Sequence, residues 1–451
     1  MKKIRIGCGS GGCTYDRLEP AEELIKEGNL DYIIFECLAE RTIAAAQKAK
    51  LKDPKKGYNP MLDIRMRRIL KLAKEKGTKI ISNMGGANTE EAVKEIIKIA
   101  EELQVTGLKI AMVLGDDILY KVKDYYDNIL WDDGSKKLSS LDGHIVSANV
   151  YLSGDPIKEA LDNGADMVIT GRIADPSLFV GPLKHEFGWT AADRDKMGQA
   201  VLLGHLLECA GQLTGGFYAD PGYKDLENLH ILGFPIAEID ETGSFIITKP
   251  EGSGGAVNTS ICKEQLLYEI ADPANYITPD AIADFSKVTF KQIGKDRVLA
   301  ENATSKGEPL DYKVNIGYHN CYEAEAGISF GGSNALNRAR LCAEIVEKRM
   351  ELLGLEADEF RVDFIGYNSL YKDKISSYIN NQVSNEIRLR ISARTKDRQT
   401  GTAIVREIEC MYTNGPAGGA GISSNVEEML SVENIIIPRD DVAYKVIYRE
   451  V

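Results

Sequence analysis

Residues 144–179 read HIVSANVYLSGDPIKEALDNGADMVITGRIADPSLF, and this stretch decides the fold. A short apolar run, Ile145-Val146, ends in Ser147-Ala148-Asn149. Asp155-Pro156 then opens a helix, since Asp caps an N-terminus and Pro fits the first helical position. Asn163-Gly164 closes it. A second apolar run, Asp166 to Thr170, ends in Gly171-Arg172-Ile173-Ala174-Asp175, and a second helix starts near Pro176. Strand, polar loop, helix, repeated, is the pattern of a parallel βαβ unit. In such sheets ligands bind outside the carboxyl ends of the strands. Ser147, Asn149, Thr170, Arg172 and Asp175 are expected there.

The same punctuation recurs upstream. Lys2 to Gly7 reads as a strand running into Gly7-Cys8-Gly9-Ser10-Gly11-Gly12, and Tyr32 to Phe35 reads as a strand ending at Glu36. Lys79 to Asn83 stops at Met84-Gly85-Gly86, and Leu108 to Leu114 stops at Gly115-Asp116-Asp117. Six apolar runs therefore end in small, amide or charged residues, which places a cluster of polar loops on one edge of one sheet. For any single Asn or Ser the competing reading is a helix cap.

The first loop is formally GxGxxG, with Glu36 where a ribose-binding acid would stand, the layout of an NAD site. Residues 14–18 separate it from the helix, which Pro20 suggests starts only there. A glycine loop whose Gly9, Ser10, Gly11 and Gly12 amides hold an anion is the preferred reading, and a tight turn is the alternative. Cys13 in this loop is either a nucleophile or a buried thiol.

Further along, Asp193 to Thr214 reads as one long helix carrying His205 and Glu208 three residues apart, hence on one face. The pair suits a base with its orienting carboxylate, two metal ligands, or a structural hydrogen bond. From Thr214 the composition shifts to short strands and turns. Lys249 and Ser253 flank a glycine-rich turn at a helix start, a place that suits phosphate or carboxylate. A flexible turn is the alternative. Gly331 onwards reads as α+β.

The chain has 451 residues, too many for one compact core, and its net charge of -13 argues against sequence-independent nucleic-acid binding. Eight cysteines without a CxxC pair favour reduced thiols over a disulfide framework or zinc ribbon. No apolar run is long enough to span a membrane, and the N-terminus alternates as a strand would, so the expected location is the cytoplasm. The expected architecture is α/β: a 1–215 domain with a mainly parallel βαβ sheet, a β-rich segment 216–330, and an α+β domain 331–451.

Several blocks in chain order carry a resemblance: VSANVYL (146–152), ITGRIADPSL (169–178), HEFGW (185–189), GHLLECAGQLTGG (204–216), GFPIAEI (233–239), TKPEGSGG (248–255), KEQLLYEIADP (263–273) and TNGPAGGAG (413–421). Together the chain resembles the acyclic terpene utilisation (AtuA-type) family. The resemblance implies the handling of carboxylic acids or acyl-CoA thioesters, in a hydratase or lyase role. It assigns no catalytic residue.

The chemistry so implied needs a cation for the carboxylate, amides to steady an enolate, and an acid/base pair. Arg172 suits the first through its bidentate fork. The loops at Gly9–Gly12 and Gly85-Gly86, with Asn83 and Asn149, suit the second. Asp116, Asp117 or Asp175, with His205 and Glu208, suit the third. Alternatively Asp116 and Asp117 bind Mg²⁺. The expected partners are a small carboxylate or its CoA thioester, and the expected assembly is a homo-oligomer, with or without a small companion subunit. The alternatives are a non-catalytic acyl-CoA-binding or carboxylate-binding subunit and an NAD-dependent oxidoreductase.

Overall fold

The computed structural model describes residues 2–12, 15–379 and 384–451. Cys13 lies outside the described residues. In chain order the first elements are β1 (Lys3–Ser10), α1 (Glu19–Glu27), β2 (Tyr32–Phe35), α2 (Glu40–Lys52), α3 (Leu62–Lys76), β3 (Lys79–Ser82), α4 (Thr89–Glu102) and β4 (Lys109–Leu114). Then come β5 (Ile145–Val150), α5 (Asp155–Asp162), β6 (Met167–Ile169), α6 (Ser177–Phe187) and α7 (Arg194–Leu207). The middle of the chain adds β7 (Ile236–Asp240), β8 (Phe245–Thr248), α8 (Thr259–Leu267), β9 (Tyr276–Ile277), β10 (Ile282–Asp284), β11 (Thr289–Gly294), β12 (Arg297–Glu301) and β13 (Thr304–Ser305). The rest is β14 (Asp311–Gly331), α9 (Ala335–Leu353), β15 (Glu359–Ile365), α10 (Lys372–Ile379), β16 (Glu386–Thr395), α11 (Arg398–Asn414), β17 (Gly419–Pro438) and β18 (Lys445–Glu450).

The chain divides into two compact units. One is Met1–Gly317 with Val432–Val451, and the other is Tyr318–Ser431. The first is built on a ten-stranded sheet in the order β11-β12-β8-β7-β1-β2-β3-β6-β4-β18. Its middle five strands, β1-β2-β3-β6-β4, are parallel. These are the short apolar runs of the sequence. Ile33, Ile34, Ile81, Val168 and Ile169 are fully buried, as strands covered on both faces must be. Each such side chain contributes roughly 1.5–3 kcal/mol by leaving water. Of the segment 216–330, expected to be β-rich, strands β7, β8, β12 and β11 extend this sheet antiparallel on its β1 edge, while β13, β10 and β9 form a small sheet of their own.

The second unit is α+β. Strand β16 pairs antiparallel with β15 and with the part of β14 from Tyr322 on. Helices α9 and α11 bury Leu336, Ala339, Val346, Ile404 and Ile408 in a core with Ile328, Leu389 and Ile391.

Two expectations need correcting. Strand β5 is not the first strand of a βαβ unit in the parallel sheet: it lies outside that sheet and pairs with β14. Its backbone instead bonds the segment after β4, through Val150 N–H to Asp116 O (2.8 Å) and Ile118 N–H to Ala148 O (2.9 Å). It therefore crosses the carboxyl edge, and Ser147 and Asn149 lie within the strand rather than beyond its end. The long helix expected over 193–214 stops at Leu207, and a 3₁₀ turn, Ala210–Thr214, follows. Ala210 takes φ +41° at the break, which no α-helix can continue. The GxGxxG loop opens no helix, as the position of Pro20 led one to expect: α1 begins only at Glu19.

Candidate functional site

The carboxyl ends of the parallel strands are joined by a continuous run of polar contacts. Glu36, after β2, accepts hydrogen bonds from Gly12 N–H (2.6 Å), Leu38 N–H (2.9 Å) and Asn83 Nδ2 (3.0 Å). Asn83, after β3, accepts from Cys37 N–H at 2.7 Å. The Arg172 guanidinium, after β6, donates to Leu38 O and, at 2.7 Å, to Asp175 Oδ1. Its backbone N–H donates to Asp116 Oδ2 at 2.9 Å, and Asn149 Nδ2 donates to the same oxygen at 2.9 Å. Glu36, Asn83, Asp116, Asn149, Arg172 and Asp175 thus gather at one place.

A cavity of about 810 Å³ opens there. Its polar lining includes Glu40, Tyr151, Arg172, Asp175, Tyr276 and Lys313, and its apolar lining includes Ala39, Ala174, Pro176, Pro279 and Pro309. Trp131 and Ile277, 61% and 59% exposed, line it towards solvent. Tyr151 is held between two cations, with Arg172 Cζ 4.1 Å and Lys313 Nζ 4.8 Å from its ring centroid. Its hydroxyl donates to Glu40 Oε1 at 2.5 Å, and Lys313 Nζ donates to the same oxygen at 2.8 Å.

The electrostatics divide the carboxyls. Asp175 lies deep, yet 34% of its side chain stays open to the cavity. Burial pushes its carboxyl well above the usual range in spite of Arg172, and the Glu36 and Glu208 carboxylates add to the rise. Burial works to raise Glu40 as well, but the Lys313 ammonium and the Tyr151 hydroxyl overcome it and hold Glu40 below its ordinary value. Burial disfavours charge on Arg172, yet Asp175 and the other acids keep it protonated. Asp116 is pushed up to about 6 by burial, against hydrogen bonds from Arg172 and Asn149.

His205 and Glu208 stand behind this wall. His205 is buried, with ring centroids of Tyr276 at 5.1 Å and Phe285 at 5.9 Å. Its Nε2 faces the carbonyls of Gln265 (3.1 Å) and Leu266 (3.3 Å), so that nitrogen carries the proton. Burial drops its pKa to about 4. Nδ1 is then an acceptor 3.4 Å from Glu208 Oε1. Burial, with Glu36 and Glu269 nearby, raises Glu208 well above its ordinary value. The pair is a buried structural contact and does not line the cavity.

Other expected site residues have different work. The Gly11 and Gly12 amides go to Asp16 (3.2 Å) and Glu36, so this loop binds the chain's own carboxylates rather than an external anion or pyrophosphate. A Cβ on Gly11 would overlap the backbone of Cys209 and Ala210, and one on Gly9 would strike the Phe35 ring. Ser10 is buried at the end of β1, where its carbonyl accepts from Glu36 N–H at 3.1 Å. Gly85 lets the β3 loop close on the Thr170 carbonyl, and Gly86 takes φ +54°. Thr170 N–H bonds Ser82 O at 2.9 Å, tying β6 to β3. Ser147 is buried on β5.

Lys249 and Ser253 line a different cavity, of about 850 Å³. Lys249 Nζ donates to Ser253 O at 2.7 Å and lies 3.6 Å from Asp296, so the turn closes on itself. As a Mg²⁺ pair, Asp116 and Asp117 do not fit. Asp116 serves Arg172 and Asn149, while Asp117 accepts from Leu119 N–H (3.0 Å) and Gln47 Nε2 (3.4 Å). Among the described residues no group of three or more His, Cys, Asp or Glu could hold a metal ion.

Sequence reasoning missed Glu40, Tyr151, Tyr276 and Lys313. Tyr151 was the most accessible, two residues beyond Asn149 and so on the same face of a strand. Lys313 carries no local signal, because the pairing of β14 with β5 brings it in from far along the chain.

The family model described as "Acyclic terpene utilisation family protein AtuA" matches residues 4–448. No curated protein matches the chain. No helix among the described residues is long and apolar enough to cross a membrane.

Proposed function

The chain belongs to the acyclic terpene utilisation (AtuA) family, and from that premise we propose that it is an enzyme of carboxylic acid or acyl-CoA catabolism, a hydro-lyase acting on a small carboxylate or its CoA thioester. One observation carries the reading. Two carboxyls lining one cavity have their proton affinities pushed apart, Asp175 upward and Glu40 downward. Such a split is how an acid and a base are assigned within one site.

In this reading Glu40, ionised, takes a proton from water. The hydroxyl forms a C–O bond at the β-carbon of an unsaturated acyl group. The double-bond electrons move toward the carbonyl, where Lys313, 42% exposed, meets the developing negative charge. Asp175 delivers its proton to the α-carbon, and the proton on Glu40 returns to Asp175 through solvent. Dehydration is the reverse. Arg172 acts as a positioning residue, because its Nη1 and Nη2 hold Leu38 O and Asp175. The proline and alanine lining accommodates the hydrocarbon part of the substrate.

The test is turnover of unsaturated and hydroxy acids and their CoA thioesters by the intact chain and by Asp175→Asn and Glu40→Gln. Each variant is expected to lose roughly 10²–10⁴-fold in rate, the usual worth of a positioned acid or base. Variants as active as the parent would overturn the assignment. A chain that binds a thioester but turns over none would instead be a binding subunit.

A further inference from the structure

Tyr276 lines the cavity along with Asp175. It lies on β9, where it pairs with Ala283 of β10. Its ring packs against two others, with the centroid of His205 at 5.1 Å and that of Phe285 at 5.4 Å. His205 is fixed in turn, because its Nε2 is held by the Gln265 and Leu266 carbonyls. A ring packed in this way has little freedom to turn, so the direction of its hydroxyl is set by the fold.

Three side-chain hydroxyls line this cavity, those of Tyr151, Tyr276 and Thr278. Two are committed within the protein. Tyr151 donates to Glu40 Oε1, and Thr278 Oγ1 donates to Ala281 O at 2.9 Å. The Tyr276 hydroxyl has no acceptor among the described residues, and it is not one of the sealed polar atoms that lack a partner. It therefore opens toward the space that a substrate fills. Burial, and then the Glu208 and Asp175 carboxyls, push its proton affinity well above the ordinary value. The phenol thus stays protonated and serves as a donor, not as a base.

We propose that Tyr276 is a further catalytic residue of this cavity, whose hydroxyl donates a hydrogen bond to the carbonyl oxygen of the substrate's acyl group. This role rests on the hydro-lyase reading. In that reading Asp175 protonates the α-carbon, and the carbonyl carbon is bonded to that atom. A donor close enough to feel the Asp175 charge is placed to meet the carbonyl oxygen. As water adds at the β-carbon, electrons move onto this oxygen and its hydrogen bond from Tyr276 strengthens. When Asp175 gives its proton to the α-carbon, the carbonyl re-forms and the hydrogen bond relaxes. The phenol keeps its proton throughout. Lys313, bound to Glu40, and Tyr276, on the Asp175 side, share the developing charge.

The test compares the intact chain with Tyr276→Phe, using the crotonyl thioester of N-acetylcysteamine, isotopically labelled at its carbonyl carbon, as the probe. Two readouts are taken: hydration kinetics, and the infrared carbonyl stretch of the bound probe. The intact chain is expected to lower that stretch relative to free probe, and Tyr276→Phe to lose most of the shift. In the variant kcat should fall roughly 10²–10³-fold, the worth of one such donor, with KM little changed. The hydroxyl has no protein partner to lose, so the variant's Tm should match the parent's. If the variant does not fold, Tyr276→difluorotyrosine supplies a more acidic donor and should lower the stretch further. A folded variant with parental kcat, or with the carbonyl stretch of the parent, would overturn the role of Tyr276 and leave the hydro-lyase reading in place. An intact chain that neither binds nor hydrates thioesters would remove that reading, and this role with it.

Discussion

At the residue scale the account rests on how one buried guanidinium is shared. Arg172 is 1% exposed and pairs with Asp175 at 2.7 Å. Arg172→Ala removes the donor to Asp175 and to the buried Leu38 carbonyl, and a buried polar group left unsatisfied costs about 1–3 kcal/mol; chemical denaturation of the first unit measures it. Glu208 gives a prediction with a definite sign. Its folded-state pKa is raised, so the folded chain holds this proton where the unfolded chain has released it. Stability therefore falls as pH climbs from the ordinary carboxylate range through the raised value. Glu208→Gln removes the titration, and its Tm relative to the parent should improve by about 1–3 °C between pH 5 and pH 8. A difference that does not change with pH would contradict it. For activity the signs combine: Glu40 must be ionised and Asp175 protonated, so kcat/KM should rise at low pH and fall at high pH. Arg172 and Asp175 were legible in the sequence because they directly follow an apolar run. Lys313 was not, since nothing near it in the chain speaks of the cavity.

At the element scale, the parallel strands were legible because burial on both faces makes them short, continuous apolar runs. The role of β5 was not. Ile145-Val146 looks like the others, and only its backbone bonds to residues 116–118 reveal that it crosses the edge instead of joining the sheet. The glycine loop misled for a related reason. Glycine is needed wherever backbones approach closely, and Gly11 meets the turn after α7, not a ligand. Gly11→Ala should therefore destabilise the chain by about 1–3 kcal/mol without changing affinity for any dinucleotide. Urea unfolding and a nucleotide titration check the two halves separately, and a neutral substitution would show that this contact is not made.

At the scale of the whole molecule, the composition change at Thr214 marks where the sheet turns antiparallel, because β7, β8, β12 and β11 add to the edge formed by β1. Composition records local strand type and cannot record that β18 returns from the C-terminus to pair with β4. Each unit has its own apolar core, so calorimetry should resolve two transitions. A ligand of the 810 Å³ cavity, whose lining lies wholly in the first unit, should raise only that unit's transition. A single transition that shifts as one would contradict this. The most direct test of the central claim is mass spectrometry of unsaturated acids and acyl-CoA thioesters incubated with the chain in isotopically labelled water, beside Asp175→Asn. The account predicts that the chain adds one labelled water to a substrate and that the variant, still folded, adds almost none. Equal incorporation by both, or none by the intact chain across the panel, would contradict it.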